Sequence, residues 1–148
     1  MPNDIIFLTP EKFGVEKYLE FKKASFKISH LALAASGTVS LELAANNTPM
    51  VIGYDMRFFS RQIVGFMLKT DTVNLVNLIT GNRNIPEYIG SNFNSENLFL
   101  EMVRVYSNNL NQINDFKTTM DLLGVNKKPP NVRAANSLLN FLENFKTV

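Results

Sequence analysis

The chain has 148 residues, 45% of them hydrophobic, which is enough for one compact unit with a real core. Its 15 basic and 13 acidic residues leave a net charge of +2, too balanced to indicate a nucleic-acid partner on charge alone. The absence of cysteine excludes disulfides, thiolate nucleophiles and Cys-based metal sites, and the single histidine argues against a His-cluster centre; no cofactor is assigned.

A cysteine-free chain suits a reducing, cytoplasmic setting. Met1-Pro2-Asn3-Asp4 lacks the basic start and apolar core of a secretory signal. No window approaches roughly 18 uninterrupted apolar residues, so the expectation is a protein neither exported nor membrane-spanning.

Along the chain, residues 5–8 form a short apolar run before Thr9-Pro10 and predict a strand that turns into a helix over 11–23. Residues 31–35, Leu-Ala-Leu-Ala-Ala, predict a second buried strand. A helix over 38–46 follows, because Leu41, Ala44 and Ala45 fall on one face. Pro49 blocks its continuation, and residues 50–54 predict a third strand. Strand, helix and strand at this spacing predict an α/β, Rossmann-like parallel sheet with flanking helices.

Further on, residues 58–68 predict an apolar helix accompanied by Arg57, Arg61 and Lys69, and 73–79 another strand. Pro86 opens a short helical or irregular segment through Ile89. Ser95 is the expected N-cap of a helix to about residue 107, with Leu98, Met102 and Val105 as its buried stripe. A helix over 110–123 closes at Gly124, and Lys127-Lys128-Pro129-Pro130 breaks the chain before a last helix over 131–145.

The junction Ser36-Gly37-Thr38 lies between the second strand and its helix. In an open parallel sheet, ligands sit beyond the carboxyl ends of the strands, where helix-start N–H groups meet the positive end of the helix dipole. Gly37 lets the backbone approach a phosphate, and the hydroxyls of Ser36 and Thr38 can cap the helix or donate to phosphate oxygens. Glu42, four residues after Thr38, shares its face and could accept hydrogen bonds from ribose hydroxyls. An N-cap, a tight turn and a surface glutamate would account for the same residues without any ligand.

The longer strings ASGTVSLELAANNTPMVIGY and VNLVNLITGNRNIPEYI closely resemble, in order and spacing, the C-terminal half of the lipid-A-disaccharide synthase family of bacterial glycosyltransferases. The family pattern of Ala-Ser-Gly-Thr, Glu, Thr-Pro-Met-Val and a tyrosine is carried here by Ser36, Gly37, Thr38, Glu42, Pro49, Met50 and Tyr54. Its next signature appears as residues 74–78, Gly81-Asn82 and Ile85-Pro86-Glu87. Val76 replaces the usual proline, Asn82 the usual arginine with Arg83 displaced by one, and Gly90 a common glutamine. These departures bear on donor contacts near residues 82–90 rather than on the fold.

The resemblance implies the C-terminal, donor-binding domain of a two-domain GT-B glycosyltransferase of family 19, truncated at its N-terminus. Residues 1–148 would then be a single partial domain: 1–28 a weakly matching strand and helix, 29–90 the nucleotide-sugar-binding core, and 91–148 C-terminal helices. The implied reaction is inverting transfer of 2,3-diacylglucosamine from UDP to lipid X, 2,3-diacylglucosamine 1-phosphate, without a metal. Ser36, Gly37 and Thr38 would hold the diphosphate, Glu42 the ribose, and Asn77, in a loop after a strand, the nucleotide or donor sugar. No catalytic residue is assigned, because the base is expected from a missing N-terminal domain that also takes lipid X. The implied partners are UDP-2,3-diacylglucosamine, lipid X and the inner-membrane surface, not nucleic acid; a homodimer is left open. The setting would be cytoplasmic, peripheral to that membrane.

Other features have plainer readings beside functional ones. The cationic apolar segment 57–69 could rest on an anionic bilayer or be core with solvated charges. His30 is expected to be structural, Asp71 and Arg83 to be solvated loop charges, and Phe93, Phe99 and Phe116 to be core rather than a stacking platform. Two alternatives stand beside the transferase: a non-catalytic remnant or interaction domain, and the donor domain of another UDP-sugar transferase of the same architecture.

Overall fold

The computed structural model describes residues 10–35, 37–54 and 72–145. The expected strand 5–8, Ser36, the expected helix 58–68 and Asp71 lie outside the described residues. Three strands, β1 (Ala32–Ala34), β2 (Met50–Tyr54) and β3 (Glu87–Ile89), form a parallel sheet in the order β1-β2-β3. Ala32 pairs with Met50 and Ile52 with Glu87, so β2 is the central strand. Its residues are buried or nearly so, as expected of a parallel strand covered on both faces.

The period of two along β2 sorts the helices into layers. Met50, Ile52 and Tyr54 pack with Leu43 and Ala44 of α3 (Thr38–Ala45), Val76 of α4 (Leu75–Thr80) and Phe116 of α6 (Leu110–Leu123). Val51, on the other face, packs with Leu98 and Val105 of α5 (Ser95–Ser107). Gly53 makes that second layer possible: a Cβ there would lie 3.0 Å from Leu98 Cδ2 and 3.1 Å from Phe93 Cε2. Gln112 of α6 fastens the start of β2, its side chain accepting from Met50 N at 2.9 Å and donating to Met50 O at 3.0 Å.

Before the sheet come α1 (Pro10–Phe13) and α2 (Val15–Ile28), where one helix over 11–23 was expected. Gly14, at φ 75°, separates them, and Phe13 meets Phe21 edge-on at 5.4 Å. Phe26 of α2 packs against the core, and its carbonyl accepts from Thr48 Oγ1 at 2.6 Å. At the other end, α7 (Pro130–Phe145) buries none of its residues and is tied to α6 through Arg133 Nη2, which donates to Leu123 O at 2.8 Å. Among the described residues no helix is long and apolar enough to cross a membrane.

Four local expectations are corrected. Residues 73–79 are not a strand: Asn74 Oδ1 accepts from Val76 N at 2.8 Å and Asn77 N at 3.2 Å, capping α4, and Gly81 closes it at φ 73°. A run as short as Leu-Val-Asn-Leu-Ile satisfies either period, and the cap decides. The third strand is instead 87–89, where an irregular segment was expected; its pairing begins with Ile52 N donating to Pro86 O at 2.9 Å. The N-cap of α5 is Asn94, accepting from Asn97 N at 2.9 Å, rather than Ser95. Finally, Phe116 is core, whereas Phe93 and Phe99 are 37% and 67% exposed, because the stripe Leu98, Met102, Val105 turns residue 99 outward.

Candidate functional site

The carboxyl ends of the three strands define one edge of the sheet, and α3 starts there, directly after β1. Gly37 is its N-cap, with φ 106° and ψ −152°, a conformation essentially confined to glycine. Among the described residues nothing lies within 4 Å of where a Cβ would sit, so this glycine answers to backbone geometry and leaves open space in front of it. Its carbonyl is pinned by Ser40, whose N and Oγ donate to it at 3.2 and 2.8 Å. Gly37 has no side chain to cap the helix, so among the described residues the N–H groups of Thr38 and Val39 meet no side-chain cap, and the positive end of the dipole faces the edge.

Thr38, Glu42 and Ala45 are the exposed residues of α3, whereas Ser40, Leu43 and Ala44 are buried. Thr38 and Glu42 therefore share one open face, as their spacing predicted. Because helical side chains lean toward the N-terminus, the Glu42 carboxylate inclines toward the same edge as Gly37. It is not alone: Glu42 Oε2 lies 2.7 Å from Lys22 Nζ of α2, and that ammonium sits 5.6 Å from the centre of the Phe26 ring. Sequence reasoning missed Lys22. Its only local signal is the spacing of four to Phe26, which puts both on one face of α2.

Asn77 is placed differently from the expectation. It lies in the first turn of α4, not in a loop after a strand, and its side chain is fully buried. Its Nδ2 donates to Ile85 O at 2.8 Å and Glu87 Oε1 at 2.9 Å, and its Oδ1 accepts from Ile85 N at 3.1 Å. Both amide hydrogens are thus occupied by the protein's own groups, and the side chain has no surface for a ligand. Glu87 is the hub: besides Asn77 it accepts from Thr72 Oγ1, from Val73 N at 2.9 Å and from Asn74 N at 3.3 Å.

The remaining candidates do not converge on the carboxyl edge. His30 is exposed just before β1, at the amino edge. Arg83 donates to Asn82 O at 2.6 Å and lines a cavity of about 110 Å³ with Arg104, Asn108 and Gln112, beside the start of β2. Among the described residues no group of three His, Cys, Asp or Glu side chains could hold a metal.

Residues 5–138 match the profile of the family described as Lipid-A-disaccharide synthetase. The chain belongs to that family. It is 43% identical over 141 residues to the lipid-A-disaccharide synthase of Ruegeria pomeroyi, covering 95% of this chain and 35% of that protein. The Rickettsia prowazekii synthase is 34% identical over 115 residues, 74% of this chain and 30% of its own, and that of Bradyrhizobium diazoefficiens 33% identical over 121, 80% and 31%. The chain spans about a third of the length of the curated relatives it matches. The match begins at residue 5, so it takes in the stretch before residue 29 on which the motifs are weak.

Within this Lipid-A-disaccharide synthetase family chain, the two motif stretches divide in kind. In the first, Gly37, Thr38 and Glu42 stand at the carboxyl edge; in the second, Asn74, Val76, Asn77 and Ile85 are buried and Asn74, Asn77 and Glu87 are hydrogen-bonded within the stretch. Beyond the second stretch, Tyr88 OH donates to Glu101 Oε2 at 3.1 Å, tying β3 to α5, and within α5 Arg104 Nε donates to Glu101 Oε1 at 2.8 Å. The Arg104 guanidinium holds the Glu101 carboxyl below its ordinary range, and burial with the Glu101 contact pushes the Tyr88 phenol up.

Proposed function

We propose that the chain is the donor-binding part of a lipid-A-disaccharide synthase, an inverting glycosyltransferase that moves 2,3-diacylglucosamine from UDP to lipid X. The observation that carries this reading is the start of α3: a glycine in a glycine-only conformation with, among the described residues, open space before it and no side-chain cap, and Thr38 and Glu42 on one exposed face at the carboxyl edge. In this reading the diphosphate lies against the amides of Thr38 and Val39, with the hydroxyls of Ser36 and Thr38 donating to its oxygens. Glu42 accepts from the ribose hydroxyls. Asn77 acts behind the site, holding α4 to the strand that follows it.

In the transfer, an oxygen of lipid X attacks the anomeric carbon from the face opposite UDP, and its proton passes to a general base. The bond from that carbon to the β-phosphate oxygen breaks, and the electron pair departs on UDP, where the helix-start amides stabilise the charge. We assign the base and the lipid X site to the part of the relatives' length that this chain does not span, so the chain binds UDP and transfers nothing by itself. The cationic apolar sequence of residues 57–69 supports an inner-membrane surface as a further partner.

Calorimetry of this chain with UDP, beside Glu42→Ala, tests the reading. Binding that the variant weakens about tenfold or more supports it; no heat at roughly 5 mM UDP favours the non-catalytic interaction domain instead.

A further inference from the structure

A carboxylate one helical turn from a diphosphate cradle repels the very ligand it should help to hold, since unit charges a few ångströms apart interact appreciably even near a protein surface. The structure meets this difficulty with Lys22. Its ammonium lies 2.7 Å from Glu42 Oε2, and its side chain is only 21% exposed, against 45% for Glu42. The ammonium also sits 5.6 Å from the centre of the Phe26 ring, which packs against the core and whose residue's carbonyl accepts from the fully buried Thr48. The helix that carries Lys22 is thus anchored to the core beside it.

We infer that Lys22 is a positioning residue of the donor site, which fixes the Glu42 carboxylate and cancels its charge so that ribose and diphosphate can be bound side by side. This rests on the donor-site reading above. One carboxylate oxygen is held by the ammonium, which fixes the rotamer and leaves the other toward solvent for a ribose hydroxyl. With Lys22 removed, Glu42 becomes an uncompensated negative charge beside the diphosphate. The penalty then falls on the phosphates far more than on the nucleoside.

The test measures UDP and uridine binding by calorimetry for wild type, Lys22→Met, Lys22→Arg, Glu42→Gln and the double variant Lys22→Met/Glu42→Gln. Lys22→Met should weaken UDP about fivefold and uridine less than twofold, and Lys22→Arg should restore most of the loss. In the Glu42→Gln background the same lysine substitution should cost UDP less than about twofold, because no charge is left to cancel. Should Lys22→Met fold poorly, Lys22→Gln removes the charge with a shorter, polar side chain and carries the same expectations. Equal loss for UDP and uridine, or an undiminished loss in the Glu42→Gln background, would overturn the inference, as would UDP binding that Lys22→Met leaves unchanged. Absence of UDP binding by wild type, or indifference of UDP to Glu42→Gln, instead removes the donor site itself and this inference with it.

Discussion

Asn77→Ala separates a ligand contact from a structural brace. The substitution deletes three hydrogen bonds, at 2.8, 2.9 and 3.1 Å, and leaves both the N–H and the carbonyl of Ile85 without their partner in a residue only 1% exposed. At about 1–2 kcal/mol for each orphaned backbone group and about 1 for the bond to the Glu87 carboxylate, the destabilisation is about 3–5 kcal/mol. For a chain of this size that lowers the thermal midpoint by roughly 10 °C or more, a large part of the about 5–15 kcal/mol that holds a domain together. Circular dichroism melts measure it directly. Asn77→Asp sharpens the case, because it sets a second carboxylate against Glu87. The pair then shares a proton, its folded pKa rises above the unfolded value, and the damage at pH 7 should ease as pH falls toward that raised pKa. An Asn77→Ala protein that melts within about 2 °C of wild type, yet binds UDP more weakly, would refute the brace and return Asn77 to the ligand.

Gly37→Ala should cost about 2 kcal/mol, read as a melting shift of roughly 4–8 °C, from the backbone conformation, since among the described residues nothing lies within 4 Å of the added Cβ. Gln112→Leu, which leaves the Met50 N–H and carbonyl unpaired inside the sheet, should cost about 2–4 kcal/mol by chemical denaturation. Glu101 has a folded pKa below its unfolded one, so its pairing stabilises above the unfolded value and is lost as pH falls through the folded value. Arg104→Gln should therefore lower the unfolding free energy at pH 7 by less than about 1 kcal/mol, Arg104 being largely exposed, and chemical denaturation of the two proteins should converge at acid pH. Gly53→Ala should shift the Leu98 and Phe93 side chains and destabilise by about 1–3 kcal/mol, checked by melting.

Where local chemistry decides, the fold was legible. Pro49 after Asn46-Asn47, with Asn47 at φ 55°, ends α3 and starts β2 as the residues indicate, and Gly124 at φ 78° closes α6 where expected. Where a partner far along the chain decides, it was not. Nothing within 87–89 says strand until β2 lies beside it, and nothing within 75–79 forbids a strand until Asn74 turns back to cap the helix. The same limit applies to the site. Gly37, Thr38 and Glu42 are neighbours in sequence and their common face follows from helical spacing, whereas the Lys22 ion pair joins residues on two helices separated by a strand. Asn77 is ambiguous in the sequence because a polar residue in an apolar run signals a site equally whether its partner is a ligand or, as in the structure, the backbone of Ile85.

The two motif glutamates show what distinguishes such cases physically. A carboxylate has about four lone-pair positions. Glu87 takes four donors of its own chain, from Thr72, Asn74 and Asn77 on Oε1 and from Val73 on Oε2, so both oxygens are engaged in holding a turn. Glu42 takes one cation on one oxygen and is 45% exposed, so among the described residues its other oxygen keeps its capacity. Motif resemblance weighs the two alike, since both are glutamates at fixed spacing from a small-residue turn. A carboxylate oxygen that its own chain leaves unengaged, at the sheet edge, is what a sugar hydroxyl requires, and among the described residues Glu42 offers one where both Glu87 oxygens are already engaged.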